Sequence, residues 1–383
     1  MNIAFIATEK LPVPAIRGGA IQIYLQSTAE IMAKRHRVTI FSIKDPDLDD
    51  RETAQGIQYI RIDADRYVEG LINELKGKNF DVIHLCNRPT WIEALKKAAP
   101  NSQFVLSVHN EMFSEGKIMK QDGERCIQAV SKIVTVSDYI GKTITDVFPS
   151  ARSKTKTVYS GVDLDTYHPI WTGEGKTIRK KMREEAELEG KKIALFVGRL
   201  SKVKGPHLLL QALPEIIQKH PDAMLVFVGS RWFGDDKTNN YVKHLYTLGA
   251  MYQKHVTFIK FVKPQDIPRF YSMSDVFVCP SQWSEPLARV HYEAMAAGLP
   301  IITTNRGGNP EVIEKGKNGV VIDRFDDPHE YAHAIHALFN DGNKRESMGR
   351  NGRRMAEQKY GWQRVAGDLL RVYESVSFER GRT

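Results

Sequence analysis

The chain has 383 residues, a formal charge of +9, and 42% hydrophobic against 26% charged side chains. That balance excludes a disordered or fibrous protein, and the length favours two folded domains over one. The apolar runs (ALFVG, LVFVG, VFVC) fall far short of the roughly 20 residues of a membrane span.

Strands and helices alternate from the start. NIAFIA reads as a short buried strand, followed by a loop with Pro12 and Pro14 and by RGGAIQIYLQSTAEIMAKR at helical spacing. HRVTIFSI and IQYIRI are strands, YVEGLINELKGK a helix, and FDVIHLC a strand ending in a polar loop at Asn87. WIEALKKAA is a short helix, QFVLSVHNE a strand, and KIVTVSDYIGKTI a strand running into a helix. Near-continuous apolar strands separated by helices predict a parallel sheet covered on both faces.

YSGVDLDTYHP and the charged, exposed helix predicted in GKTIRKKMREEAELEGKK break the rhythm, which restarts at KKIALFVGRLSKVKG. HLLLQALPEIIQKH, YVKHLYTLGAMYQ and IPRFYSM read as helices; AMLVFVG, VTFIKF, VFVCPS and GVVID read as strands. EYAHAIHALFN, KRESMGRNGRRMAEQ and WQRVAGDLLRVYESV are closing helices. The expected class is α/β, two doubly wound Rossmann-like units: residues 1–165, residues 166–360, and a C-terminal helix over 361–383 packing back toward the first. In such sheets ligands bind beyond the carboxyl ends of the strands. The polar residues collect there: the 17–19 loop, Asn87–Arg88, His109–Asn110, Arg199–Lys204, Ser281–Glu285 and Arg306–Gly308. Two such edges facing each other would make one cleft.

EPLARVHYEAMAAGLPIITTNRGGNPE, from Glu285 to Glu311, is the densest of these stretches. Pro286 suits the first turn of a helix and Gly298 the residue past its end. IITT reads as a buried strand and RGGNPE as a glycine-rich turn into another helix. A helix N-terminus seats phosphate, and nearby acids accept from hydroxyls, so the stretch points to a nucleotide-sugar. Two acids beside a sugar also suit a glycosidase pair, which the phosphate-binding loops oppose.

Charge decides less. Residues 1–163 hold 22 basic and 20 acidic side chains, so the positive excess lies in the second half. It suits a phosphorylated ligand, a nucleic acid or an anionic membrane, and equally a solvated face. No basic–aromatic stripe supports nucleic acid, and no clear amphipathic basic helix supports more than peripheral membrane contact. Cys86, Cys126 and Cys279 lack metal-ligand spacing and an even number, and MNIAFIATEK lacks a signal-peptide pattern. Reduced thiols and a cytoplasmic location are expected.

RGGA, SVHN, VTVSDYI, YSGVDLDTYHP, VGRLSKVKG, DVFVCPS and the Glu285–Glu311 stretch, in that order, resemble the retaining glycosyltransferases of family four, with their GT-B architecture of two Rossmann-like domains. HNEMF and EPLARVHYEAMAAG are most similar to spore-coat-associated glycosyltransferases of Bacillus-type bacteria. The resemblance implies transfer of a hexosyl group from a nucleoside-diphosphate sugar, UDP-linked first, to a hydroxyl acceptor with retained configuration. It implies no cofactor and no metal, an N-terminal acceptor side and a C-terminal donor side, and a place in cell-surface or spore-coat glycan synthesis, with a coat assembly as a partner. A sugar-nucleotide epimerase and a non-catalytic scaffold of the same fold are the alternatives.

The resemblance also assigns residues. Arg199 and Lys204 neutralise the departing diphosphate; Glu285 meets the sugar hydroxyls, Glu293 the ribose, and His109 the sugar. Gly18 and Gly19 approach the donor through their backbone, and Leu287, Ala288 and Arg289 line it, with Gly307 and Gly308 shaping the loop. Each has an ordinary counterpart: surface cations, a favourable acid at a helix start, a solvated helix face, simple turns. His84 reads as structural. Ala288, Arg289 and Lys260 depart from the family pattern of glycine, leucine and glycine, which leaves the donor base open. Asp45–Asp47, Asp63–Asp65 and Asp163–Asp165 have the form of a metal-binding Asp-x-Asp, at a frequency chance provides.

Overall fold

Apolar strands in an unbroken run need cover on both faces, and both sheets have it. The computed structural model describes residues 1–229, 239–260 and 262–380. It divides into two units, Met1–Gly161 with the segment from Trp362 onward, and Val162–Gly361. In the first, β1 (Asn2–Ile6), β2 (Arg37–Ile43), β3 (Arg51–Ala54), β4 (Ile57–Ile62), β5 (Val82–Cys86), β6 (Gln103–Val108), β7 (Lys132–Thr135) and β8 (Thr155–Thr157) lie in the order β3-β4-β2-β1-β5-β6-β7-β8. Ala4 and Ile6 enter one core with Phe41 and Leu85, while Ile3 and Phe5 enter the opposite core with Val38 and Ile40. This is the period-two alternation of a strand buried on both sides.

The second unit holds β9 (Lys192–Val197), β10 (Ala223–Val228), β11 (Val256–Ile259), β12 (Val276–Cys279), β13 (Ile301–Thr304) and β14 (Gly319–Ile322) in the order β11-β10-β9-β12-β13-β14, all parallel. Strand order reverses between β9 and β12 here, and between β1 and β5 in the first unit. That reversal leaves a crevice at the strand ends, the usual ligand seat of a doubly wound sheet.

Three features differ from the sequence reading. Arg51–Ala54 forms an antiparallel edge strand with β4, joined through Gln55 and Gly56, both at positive φ; its polar composition hides it. A helix spans Lys120–Ala129 where the sequence pattern predicts none, because the segment is charged and carries Gly123, which lies against Phe148. The charged helix Gly173–Glu185 is more than a solvated face. Arg179 and Arg183 turn inward and share Asp275, whose carboxylate also accepts from Ile193 N at 2.8 Å.

The helix Trp362–Arg380 packs on the first unit, burying Trp362, Val365, Leu369 and Tyr373 with Tyr24. His84 on β5 hydrogen-bonds Tyr373 Oη at 2.6 Å, and both are fully buried.

Two outcomes follow for stability. Asp275→Ala strands two half-buried guanidiniums and should cost about 3 kcal/mol in urea unfolding; a loss below about 1 kcal/mol would contradict the role of Asp275. Burial pushes the His84 pKa down from 6.5 to about 3. Below pH 6.5 the unfolded chain therefore takes up a proton that the fold excludes. The stabilisation is complete above that pH and falls as pH drops, by about 1.4 kcal/mol per unit from this group. His84→Gln should flatten the decline of the unfolding midpoint between pH 7 and 5, and an unchanged slope would count against it.

Candidate functional site

Three loops follow adjacent strands β9, β12 and β13, and backbone hydrogen bonds lock them to one another. The first runs from Gly198 to Gly205. Lys202–Lys204 forms a single 3-10 turn, and Gly205, at φ 73°, carries the chain into the helix Pro206–Lys219. A Cβ on Gly205 would collide with the carbonyl of Pro280, so only glycine lets these loops close. Gln282 N donates to Val203 O at 2.8 Å, and the Gln282 side chain donates to Pro280 O and Phe325 O, each at 2.8 Å. Lys204 thus sits on a clamped turn, with half-buried Arg199 in the same loop.

Glu285 lies at the centre and is 3% exposed. Its carboxylate forms an ion pair with Lys204 and lies 3.2 Å from Ser281 Oγ. The Lys204 ammonium is 5.9 Å from the centre of the Trp283 ring. The Glu285 carbonyl accepts from Gly308 N at 2.7 Å, and a Cβ on Gly307 (φ 58°) would strike the Glu285 backbone. Ala288 N donates to Asn309 Oδ1 at 3.2 Å.

These bonds correct the expected helix start. The helix covers only Val290–Ala296, so Pro286 lies before it, and Glu285 and Glu293 do not share one helix. The chain from Glu285 to Ala288 is irregular because its polar backbone is spent on Gly308 and Asn309. Leu287 and Ala288 are half-buried in that passage. RGGNPE likewise enters a short 3-10 turn, Asn309–Val312, in place of an α-helix.

Glu293 is no solvated face. It accepts from Tyr271 Oη at 2.8 Å and lies 3.7 Å from Arg289 Nη2. His291, which the sequence reading passed over, is fully buried, with Nδ1 2.9 Å from Ala288 O and Nε2 2.8 Å from Thr303 Oγ1. A carbonyl only accepts, so Nδ1 carries the proton and Thr303 donates to Nε2. Burial lowers the His291 pKa to about 4, which keeps that neutral tautomer. Only its place between two candidate segments could have signalled this pin.

Among the described residues, four buried polar atoms in or beside these loops have no hydrogen-bond partner: Ser201 Oγ, Trp283 Nε1, Arg306 Nε and Asn309 Nδ2. Arg306 lies over Phe325, its guanidinium carbon 4.5 Å from the ring centre.

In the first unit the corresponding strand ends hold His109, Asn87 and the 17–19 loop. His109 N donates to Asn87 Oδ1 at 2.6 Å, its Nε2 lies 3.0 Å from Ser107 Oγ, and its ring meets Tyr24 edge-on at 4.9 Å. Burial holds its pKa far below the usual histidine value, so the ring is neutral. Gly18 and Gly19 adopt φ 78° and 101°, and a Cβ on Gly19 would collide with Gln22 and Leu11. Their freedom is therefore already needed by the turn.

The Asp-x-Asp triplets have partners of their own. Asp45 and Asp47 pair with Arg17, Asp63 with Lys44, and Asp163 accepts from Asp165 N and Thr166 Oγ1. Cys86, Cys126 and Cys279 are buried free thiols. Among the described residues no helix is long and apolar enough to cross a membrane.

The family model described as Glycosyltransferase Family 4 matches residues 18–166, and that described as Glycosyl transferases group 1 matches residues 177–355. Spore coat protein SA of Bacillus subtilis is 67% identical over 98% of this chain and 99% of its own. The putative glycosyltransferase YtcC of the same organism is 49% identical over 98% of this chain and 92% of its own. Among solved structures, Anabaena HepE in complex with UDP superposes with a TM-score of 0.80 at 20% identity, covering 98% of this chain and 100% of that one. The fold, the order of the two matched segments and the full-length relatives agree, and the chain belongs to the GT-B glycosyltransferases.

Proposed function

We propose that this glycosyltransferase moves a hexosyl group from a UDP-sugar to a hydroxyl acceptor, with retention of configuration and without a metal ion. The observation that carries the reading is the Lys204–Glu285 pair, a cation and an acid clamped side by side where strand order reverses. A diphosphate needs the first and sugar hydroxyls need the second. The likeness to a protein crystallised with UDP supports the choice of base.

In this reading Lys204 and Arg199 take up the charge that develops on the β-phosphate as the bond from sugar C1 to the phosphate oxygen breaks. The acceptor oxygen forms its bond to C1 on the same face, and its proton passes to the departing phosphate oxygen. No protein nucleophile is required. Glu285 holds the sugar hydroxyls, exchanging part of its contact with Lys204 for them. Glu293, already oriented by Tyr271 and Arg289, takes the ribose hydroxyls. Leu287, Ala288 and Arg289 complete the donor wall. Strong likeness to Spore coat protein SA favours a glycan of the spore coat or cell surface as the product.

Lys204→Ala and Glu285→Gln should each lower kcat for sugar transfer by about 10²-fold or more, the scale of losing a charge-stabilising group. Glu293→Ala should chiefly raise KM for the donor, because binding to the ribose is the same in ground and transition states. Product analysis with and without acceptor separates transfer from epimerisation. Unaltered transfer by the first two variants would overturn the site.

A further inference from the structure

We infer that the transferred sugar bears a carboxylate, so that the donor class is a nucleoside-diphosphate hexuronate, read by Arg306 and Asn309. The inference rests on the donor reading above and names its sugar.

It begins with an imbalance of donors and acceptors around Glu285. The Glu285 carboxylate faces Lys204 and Ser281, and its carbonyl is held by Gly308. Besides the Ser201 hydroxyl in the β9 loop, which can donate or accept, the unmatched groups are N–H donors: Asn309 Nδ2, Arg306 Nε and Trp283 Nε1. The orientation of Asn309 is fixed chemically, since only its oxygen can accept from Ala288 N, and that leaves the amide NH2 as the unpartnered end. Asn309 is fully buried. A buried donor without a partner costs about 1–3 kcal/mol, and a ligand oxygen would recover it.

Arg306 sets the charge of that ligand. No carboxylate among the described residues pairs with it, while Lys204 in the β9 loop is matched by Glu285. Its guanidinium carbon lies 4.5 Å from the centre of the Phe325 ring, a cation–π contact that restrains the side chain. Phe325 in turn is tied by its carbonyl to the Gln282 side chain, so the guanidinium stays beside the Glu285 loop. A planar, permanently charged fork suits a carboxylate with two coplanar oxygens. The diphosphate has its own cations in the β9 loop, and Arg306 follows β13, two strands along the same edge. Neighbouring strands are about 4.8 Å apart, so this second anion site lies across Glu285 from the first. A sugar ring held by Glu285 spans that gap, with its C5 carboxylate at Arg306.

The test compares UDP-glucuronate with UDP-glucose on the full-length protein, by titration calorimetry and by turnover of each donor. The uronate should be preferred by about tenfold or more, the scale of one charge-assisted hydrogen-bond pair. Arg306→Met should erase that preference, and Arg306→Lys should restore part of it. Thermal unfolding of both variants confirms that they fold. Equal use of the two donors, or a preference that survives Arg306→Met, would overturn the inference and leave the UDP-sugar reading intact. Failure of UDP itself to bind would remove that reading, and this inference with it.

Discussion

The contact on which the second unit's site depends is the clamp among the loops after β9, β12 and β13. Val203 O receives Gln282 N, Glu285 O receives Gly308 N, and Asn309 Oδ1 receives Ala288 N. Each bond uses a backbone group that a regular helix or strand would otherwise satisfy. Gly205 and Gly307 are the condition for it, because a side chain at either would occupy the partner's backbone. Lys204 and Glu285 therefore meet as parts of a framework already built, which is what a charge-stabilising site requires.

That clamp also explains why the chain before the helix Val290–Ala296 is irregular. A helix starting at Pro286 would direct its first N–H groups along the helix axis and leave Gly308 and Asn309 unmatched. That segment is instead a loop braced by the next loop, with His291 pinning its far end through Ala288 O and Thr303. Glu293 belongs to a separate cluster with Tyr271 and Arg289. The two acids thus stand in distinct settings, one against a lysine and one against a phenol and a guanidinium. Arg289, where the resemblance would place leucine, makes the second setting unlike the family pattern.

The doubly wound character was legible because apolar strands and amphipathic helices alternate at clear periods. It failed where composition and structure part company: the polar edge strand Arg51–Ala54, the glycine-bearing helix Lys120–Ala129, and the inward turn of Arg179 and Arg183. Nothing in KKMREE distinguishes an arginine that meets buried Asp275 from one in solvent, since the partner lies about ninety residues away. The candidate residues were legible as strand-end polar groups. Their pairing was not, because Lys204 and Glu285 are 81 residues apart and meet only through the reversal of strand order. Arg306 and Asn309 were legible only as part of a glycine-rich strand-end turn; their unmatched N–H groups emerge from the partners of their neighbours.

The central claim is that this chain holds a nucleoside diphosphate in the second unit on protein cations alone. Calorimetric titration of the full-length protein with UDP in a chelator-containing buffer, beside the Lys204→Ala variant, tests it most directly. The account predicts saturable one-to-one binding by the native chain, weakened by about tenfold or more in the variant through loss of a charged hydrogen-bonding partner. Absence of binding by the native chain, or equal binding by both proteins, would contradict it.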